Sequence, residues 1–196
     1  NYTRMEREDY LAHASEVSVT RSIQNVVRKL SDVDNSRFAD RLKVSVPNNL
    51  SADMDENSFE IILRNVIKNA LESGSSTPIV VKAGMVSGVG LVVMVRDRGR
   101  GMTQDVLEKA FEPFFHSRPA HQKFDHTAGV GLGLSVARRL ADAQGLRIKL
   151  RSEPGRGTTA FITIPETLVR RAPKDDAETS PDAAEVSAAE LRQNMG

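Results

Sequence analysis

The run SFEIILRNVIKNALESG, residues 58–74, constrains the fold more than any other stretch. Phe59, Ile62, Leu63, Val66, Ile67 and Leu71 recur at spacings of three and four, which gathers them on one stripe of a helix. Acidic residues crowd the approach, SADMDEN, as a helix start favours, so the helix is read from there, with Gly74 as its stop. A helix with one apolar stripe holds only when that stripe lies on another layer. The next segments are β-rich. PIVVKAGMV and GLVVMVRD flank SGVG as a hairpin, and LRIKLRSEPGRGTTAFITIP reads as a second hairpin around EPGRG. RLKVSVP (41–47) alternates apolar and polar residues and meets a proline, as a strand ending in a turn does. TQDVLEKAF reads as a short helix, and VGLGLSVARRLADAQG as a longer one with Gly145 at its C-terminal cap. This order predicts an α+β fold: a two-layer α/β sandwich of one mixed, mostly antiparallel sheet with helices on a single face.

Both ends read differently from this middle. Residues 3–31 are expected to be helical, with Val19, Ile23, Val26, Val27 and Leu30 on one stripe and Arg28 and Lys29 in the last turn. From about residue 168 the apolar pattern lapses. From Pro173 onward two basic residues face six acidic ones, and only AAEVSAAELRQN has a frayed-helix pattern. The expected division is therefore a helical segment at 1–31, a globular domain at 32–167 and an acidic, disordered tail at 168–196. The opening NYTRMEREDY is neither a signal peptide nor a start with Met, so the chain is expected to be a piece of something longer.

Composition narrows the chemistry. There is no cysteine, which excludes disulfides, thiolate metal sites and cysteine nucleophiles. A formal net charge of +1, aromatic content of 5% and the absence of Trp give no argument for nucleic acid. No apolar run nears the roughly 18 residues of a membrane span.

Three motifs carry the chemistry. In RNVIKNA, Asn65 and Asn69 are one helical turn apart and project from the same face. Carboxamide oxygens can ligate magnesium and hold its waters, although such a pair also suits a solvated face. In VVMVRDRGRGM, a strand ends in Asp97, followed by Gly99 and Gly101. The aspartate can accept a hydrogen bond from an exocyclic amine and the glycines let a flat ligand approach, although a plain turn has the same composition. In GVGLGLSVAR, Gly129, Gly131 and Gly133 open a helix whose free N–H groups can bind phosphate. This is not a dinucleotide-binding fingerprint, since no first strand precedes it, and no Gly-Lys-Ser/Thr follows to make a P-loop.

In this order, with FEPFF at 111–115 between the second and third motifs, the sequence resembles the catalytic ATP-binding domain of sensor histidine kinases over about residues 35–166. That family shares the Bergerat fold with gyrase B, MutL repair proteins and heat-shock chaperone ATPases. The resemblance implies that ATP and Mg2+ are the cofactors. It implies that Asn65 coordinates the magnesium, that Asn69 supports metal and phosphates, and that Asp97 recognises adenine, with Gly99 and Gly101 shaping the pocket. It further implies that Phe111, Phe114 and Phe115 anchor an ATP lid and that Arg118 reaches the terminal phosphate. Gly129, Gly131 and Gly133, continuing into Leu134, would cradle the phosphates. Thr158 would close the adenine site, with Thr159 as close competitor. The implied reaction is transfer of the γ-phosphate to a histidine, with Asn65 and Arg118 as its catalytic residues.

The implied partners are a dimerisation and phosphoacceptor domain upstream and a response regulator downstream. The parent would be a homodimer that is cytoplasmic or anchored in the inner membrane, and this segment itself would touch neither nucleic acid nor membrane. Glu72 and Ser73 stand where many members have Lys-Tyr, which resembles the nitrogen- and oxygen-sensing branch. His116, Ser117 and Arg118 replace the common Thr-Thr-Lys, and the lid is somewhat long. The lid histidines, His116, His121 and His126, are five apart and lack a complementary ligand, so they read as solvated lid residues rather than a zinc site. His13 lacks the acidic neighbour and proline of a phosphoacceptor. Hydrolysing members carry a glutamate base where this chain has Asn65, which favours transfer over hydrolysis. A serine kinase of the anti-sigma-factor type and a non-catalytic nucleotide-binding module are the competing readings.

Overall fold

The computed structural model describes residues 14–33, 41–115, 131–170, 189 and 191–193. The main sheet contains β2 (Leu42–Ser45), β4 (Ile79–Val86), β5 (Gly90–Arg96), β6 (Arg147–Glu153) and β7 (Gly157–Ile164), in spatial order β2-β4-β5-β7-β6. Only the β2–β4 pair is parallel. Both expected hairpins form: β4 and β5 pair from Val80↔Arg96 to Val86↔Gly90, and β6 and β7 from Arg147↔Thr163 to Glu153↔Gly157.

Alternation along these strands decides which face is covered. Ile79, Val81, Ala83, Leu91, Val93, Val95, Ile148, Leu150, Ala160, Ile162 and Ile164 lie on one face and are all buried in the main core. Against that face lie α1 (Val19–Val33), α2 (Glu56–Leu71) and α4 (Gly133–Ala143), with the short α3 (Gln104–Lys109) at the edge. The stripe of α2 fills this core: Phe59, Ile62, Leu63 and Ile67 are fully buried. The α+β sandwich expected from the sequence is therefore present.

Four local expectations are corrected. A second sheet exists, ordered β1-β3-β8, from β1 (Ser15–Ser18), β3 (Ser51–Met54) and β8 (Val169–Arg170). Ser15–Ser18 is thus strand rather than helix; it pairs antiparallel with Ser51–Met54, and Val17 and Val19 are both buried. The helix read from SADMDEN begins only at Glu56. SADM is strand, and Asp55 caps the helix by accepting from the Ser58 N–H at 2.7 Å. Helix α1 runs on to Val33, so Arg28 and Lys29 fall short of its last turn, and Lys29 instead pairs with Glu60 of α2 at 2.6 Å.

The boundaries at 31 and 167 are also not packing boundaries. Val17, Val19, Ile23 and Val26 belong to the main core, and β8 closes the small sheet beyond residue 167. Further on, Leu191 is fully buried. His13, the lid residues 116–130 and most of the acidic tail lie outside the described residues. Among the described residues, no helix is long and apolar enough to cross a membrane.

Candidate functional site

Helices α2 and α4 pack against each other over the end of the sheet where β5 stops and β7 starts. A pocket opens there, lined by Val66, Asn69, Ala70, Val95, Asp97, Leu134, Leu150, Thr158 and Ala160. Asn69, Asp97, Leu134 and Thr158 were expected at one site, and the lining residues come from both helices and from β5 with the adjoining Asp97, β6 and β7. Its walls are otherwise apolar and small, as a flat ring system requires.

Asp97 is the buried charge of this pocket, with 3% of its surface exposed. Its Oδ1 accepts from the Gly99 N–H at 2.8 Å and from the Thr158 N–H at 3.3 Å. The Ser73 side chain also hydrogen-bonds to the carboxylate. Burial pushes the carboxyl above its ordinary value; the bonds from Gly99, Ser73 and Thr158 and the charge of Arg100 pull the other way without cancelling it. A carboxylate has about four acceptor sites. Two amides and a hydroxyl take three, which leaves room for a donor in the pocket.

Three turns interlock to hold Asp97 there. The Arg100 N–H donates to the Ser73 carbonyl at 3.1 Å, the Gly155 N–H to the Arg100 carbonyl at 2.7 Å, and the Asp97 N–H to the Thr158 carbonyl at 2.9 Å. Glycine is required where they touch. A Cβ on Gly99 would lie 2.3 Å from Ser73 Oγ, and one on Gly101 would lie 1.9 Å from the Glu153 carbonyl oxygen. Gly99 and Gly101 therefore act by close turn packing around Asp97 and do not themselves line the pocket. Thr158 and Thr159 are told apart by alternation. Thr158 lines the pocket and its hydroxyl lies 2.9 Å from Ser152 Oγ, whereas Thr159 pairs with Arg96 on the opposite face.

Asn65 stands beside the start of α4. Its Oδ1 is 3.2 Å from where a Cβ on Gly133 would be, so the glycine keeps the helix start open towards the amide. Leu132, at the N-cap, offers no side-chain cap, so among the described residues the first N–H groups of α4 stay available to an anion. Asn65 is half-buried and Asn69 is exposed. Among the described residues neither carboxamide has a protein partner, and no cluster of His, Asp or Glu could hold a metal by itself. Two amides beside a phosphate-binding helix start fit a magnesium ion that arrives with phosphates, since that ion keeps most of its waters and takes few protein ligands.

Gly131 has φ of 75° and its carbonyl accepts from the Phe114 N–H at 3.0 Å, which ties together the described residues on either side of 116–130. Phe114, expected with Phe111 and Phe115 to anchor a lid, is 67% exposed and makes this backbone bond. Phe111 packs against the core, with the Arg138 guanidinium of α4 5.1 Å above its ring. Arg118, Gly129 and the histidines His116, His121 and His126 lie outside the described residues.

Sequence reasoning passed over Ser73 as a partner of Asp97, Gly157 as a contact of Asp97, and the lining Val66 and Ala70. A signal existed for the last two, because each directly follows an asparagine of the motif. Gly157 was visible only as part of a turn; its φ of 94° and the 2.3 Å between its virtual Cβ and the Asp97 carbonyl oxygen appear only in three dimensions.

The chain is similar to known proteins. Residues 54–168 match the family model of histidine kinase-, DNA gyrase B- and HSP90-like ATPases. A sensor histidine kinase of Burkholderia thailandensis, AtsR, is 32% identical over 139 residues, covering 68% of this chain and 23% of that protein. The KdpD sensor protein of Mycobacterium tuberculosis is 38% identical over 125 residues, covering 64% of this chain and 14% of that one. The chain thus spans about a quarter or less of these relatives. Among solved structures, the mycobacterial sensor histidine kinase MprB superposes with a TM-score of 0.63 at 21% identity, covering 78% of this chain and 97% of that one, a likeness of fold. With the family match spanning more than half of its length, the chain belongs to the histidine kinase-, DNA gyrase B- and HSP90-like ATPase family.

Proposed function

We propose that this domain binds ATP with Mg2+ and is the catalytic part of a sensor histidine kinase, passing the γ-phosphoryl group to a histidine on a dimerisation domain and, through it, to a response regulator. The observation that carries the reading is the buried Asp97, held by two amides and a serine with acceptor capacity left over, in an apolar pocket beside an uncapped helix start. The adenine amine would donate to Asp97, with Thr158 closing the pocket edge and Leu134 packing on the ring. The triphosphate would run toward Gly131, Gly133 and the N–H groups of α4. Asn65 and Asn69 would face the magnesium and its waters, and the ion would supply charge neutralisation for the departing γ-phosphoryl group. Arg118 and Gly129 would complete the phosphate contacts from the lid.

Transfer is favoured over hydrolysis because, among the described residues, no carboxylate or imidazole lines the pocket apart from Asp97, which lies at the adenine end. An amide at position 65 is no base for water. The kinase reading over the serine-kinase one rests on the relatives, which are named sensor histidine kinases.

Calorimetric titration with a non-hydrolysable ATP analogue, with and without magnesium, tests binding. Incubation with labelled ATP and a separate histidine-bearing helical hairpin tests transfer. Magnesium-dependent binding and an acid-labile phosphate on the hairpin are expected. An acid-stable phosphoserine on a protein acceptor would select the serine kinase, and absence of nucleotide binding would end both readings.

A further inference from the structure

The second face of the main sheet carries none of the helices α1 to α4. Val86, Val92, Met94 and Phe161 lie there, each at most 2% exposed, with Val80 beside them. Strand residues on an open face would not be so covered. Among the described residues, the cover includes Leu191, which is fully buried in this second apolar cluster, while its neighbours Arg192 and Gln193 remain exposed. Arg192 also reaches the Ser87 carbonyl at 3.5 Å, at the turn between β4 and β5.

Around this apolar centre the face is basic. By strand register, Lys43, Lys82, Arg96, Arg147, Lys149 and Arg151 share it. Its one acidic strand position, Glu153, sits at the end of β6 and pairs with Arg156. The chain from Pro173 has the opposite character, with six acidic residues and two basic ones. In its sequence Ala184, Ala188, Leu191 and Met195 recur at helical spacing, small residues leading to two larger ones. An acidic segment with one apolar stripe complements a basic face with an apolar centre in both charge and shape.

We propose that this second face of the main sheet is a docking surface for an acidic amphipathic helix, and that the chain's own C-terminal segment around Leu191 occupies it. The nucleotide site is built on the opposite face and at the strand ends, so the two surfaces are separate. A segment that, among the described residues, contributes one large apolar side chain and is otherwise held by screened charges exchanges readily. The surface can therefore be vacated and offered to another acidic helix.

The absence of cysteine allows a clean test on the full chain. A nitroxide placed on the exposed position by Ala189→Cys should broaden the methyl signal of Met94 on the outer face, but not that of the buried Met54, and 0.5 M salt should weaken the effect. Adding Leu191→Asp should abolish the broadening while cooperative melting persists. That variant, freed of its cover, should bind a fluorescent peptide of residues 173–196 at least about tenfold more tightly than the unmodified chain does. A sharp Met94 signal in the labelled chain would overturn the proposal, as would equal peptide affinity of the two chains. So would broadening that arises only between separate molecules, in a mixture of nitroxide-bearing and isotope-labelled chains, because the occupant would then be a second copy. None of these readouts involves nucleotide, so failure of the kinase reading would leave this result standing.

Discussion

At the scale of single residues, the candidate site depends on a carboxylate that burial disfavours. Asp97 sits above its ordinary pKa chiefly through desolvation, so its charged form is worse off in the fold than in the unfolded chain. The sign follows. Below the unfolded value, near about 4, the group is protonated in both states and contributes no penalty. As pH rises through the interval up to the raised folded value, the unfolded chain ionises first and stability falls; above that value the loss is complete. Asp97→Asn removes this loss. It also sets an amide NH2 against the adenine amine, donor to donor. The variant is expected to gain on the unmodified chain in urea midpoint between pH 4 and pH 7, while analogue binding falls at least about tenfold, the worth of one good polar contact. Joint loss of stability and binding at pH 7 would instead mean that the carboxylate is structural. Gly157 gives the complementary test. With φ of 94° and a virtual Cβ 2.3 Å from the Asp97 carbonyl oxygen, Gly157→Ala has both strain and overlap. Left-handed strain of about 1–2 kcal/mol and overpacking of about 1–3 kcal/mol predict a loss of roughly 2–5 kcal/mol in chemical denaturation.

At the scale of elements, the position of α4 decides whether Gly133 faces Asn65, and a single side chain ties its far end. Gln144, 7% exposed, accepts from the Asp55 N–H at 2.8 Å and donates to the Leu140 carbonyl at 3.4 Å. It thereby links the end of α4 to the cap of α2. Gln144→Leu leaves the Asp55 N–H without this acceptor, at a cost of about 1–3 kcal/mol. Melting should drop by several degrees, at about 2–4 °C per kcal/mol for a chain of this size. Gln144→Glu keeps the acceptor oxygen but loses the donation to the Leu140 carbonyl and buries a charge, so it should recover only part of the loss. Nothing in the sequence marks Gln144, because its partner is 89 positions away. What the sequence did show was periodic and long: the stripe of α2 and the two hairpins appear where their alternation places them. The misses are short or shared. SEVS and SADM are four-residue strands whose apolar residues also suit a helix pattern, and β8 has two residues, too few to alternate. At the site, Asn69, Asp97, Leu134 and Thr158 were legible through motif order and resemblance. Ser73 and Gly157 were not, because their role is to touch Asp97 across turns that only the folded chain brings together.

At the scale of the whole molecule, the question is where the folding unit begins. Residues 1–31 read as a helix belonging to something else, and the matched family region begins only at residue 54. The packing places the start earlier. Strand β1 forms one edge of the small sheet, and Val17, Val19, Ile23 and Val26 are each at most 3% exposed in the main core. Burial of side chains of this size contributes about 1.5–3 kcal/mol each. Four of them amount to roughly 6–12 kcal/mol as an upper estimate, against a net stability of about 5–15 kcal/mol for a typical domain. Stability of that order does not survive their removal. A chain starting at residue 34 is expected to lose cooperative melting and dispersed amide signals, and with them analogue binding. One starting at residue 14 should keep all three. A chain from residue 34 that melts cooperatively would show that β1 and α1 only lean on a core able to stand alone. The boundary would then return to between Val33 and Arg41, and the segment from Ser15 to Val33 would be free to move with whatever precedes it. The two outcomes imply different couplings. If the segment is integral, a displacement of the chain upstream pulls directly on β3 and α2, the helix that carries Asn65 and Asn69, because β1 is bonded to β3 and α1 packs on α2.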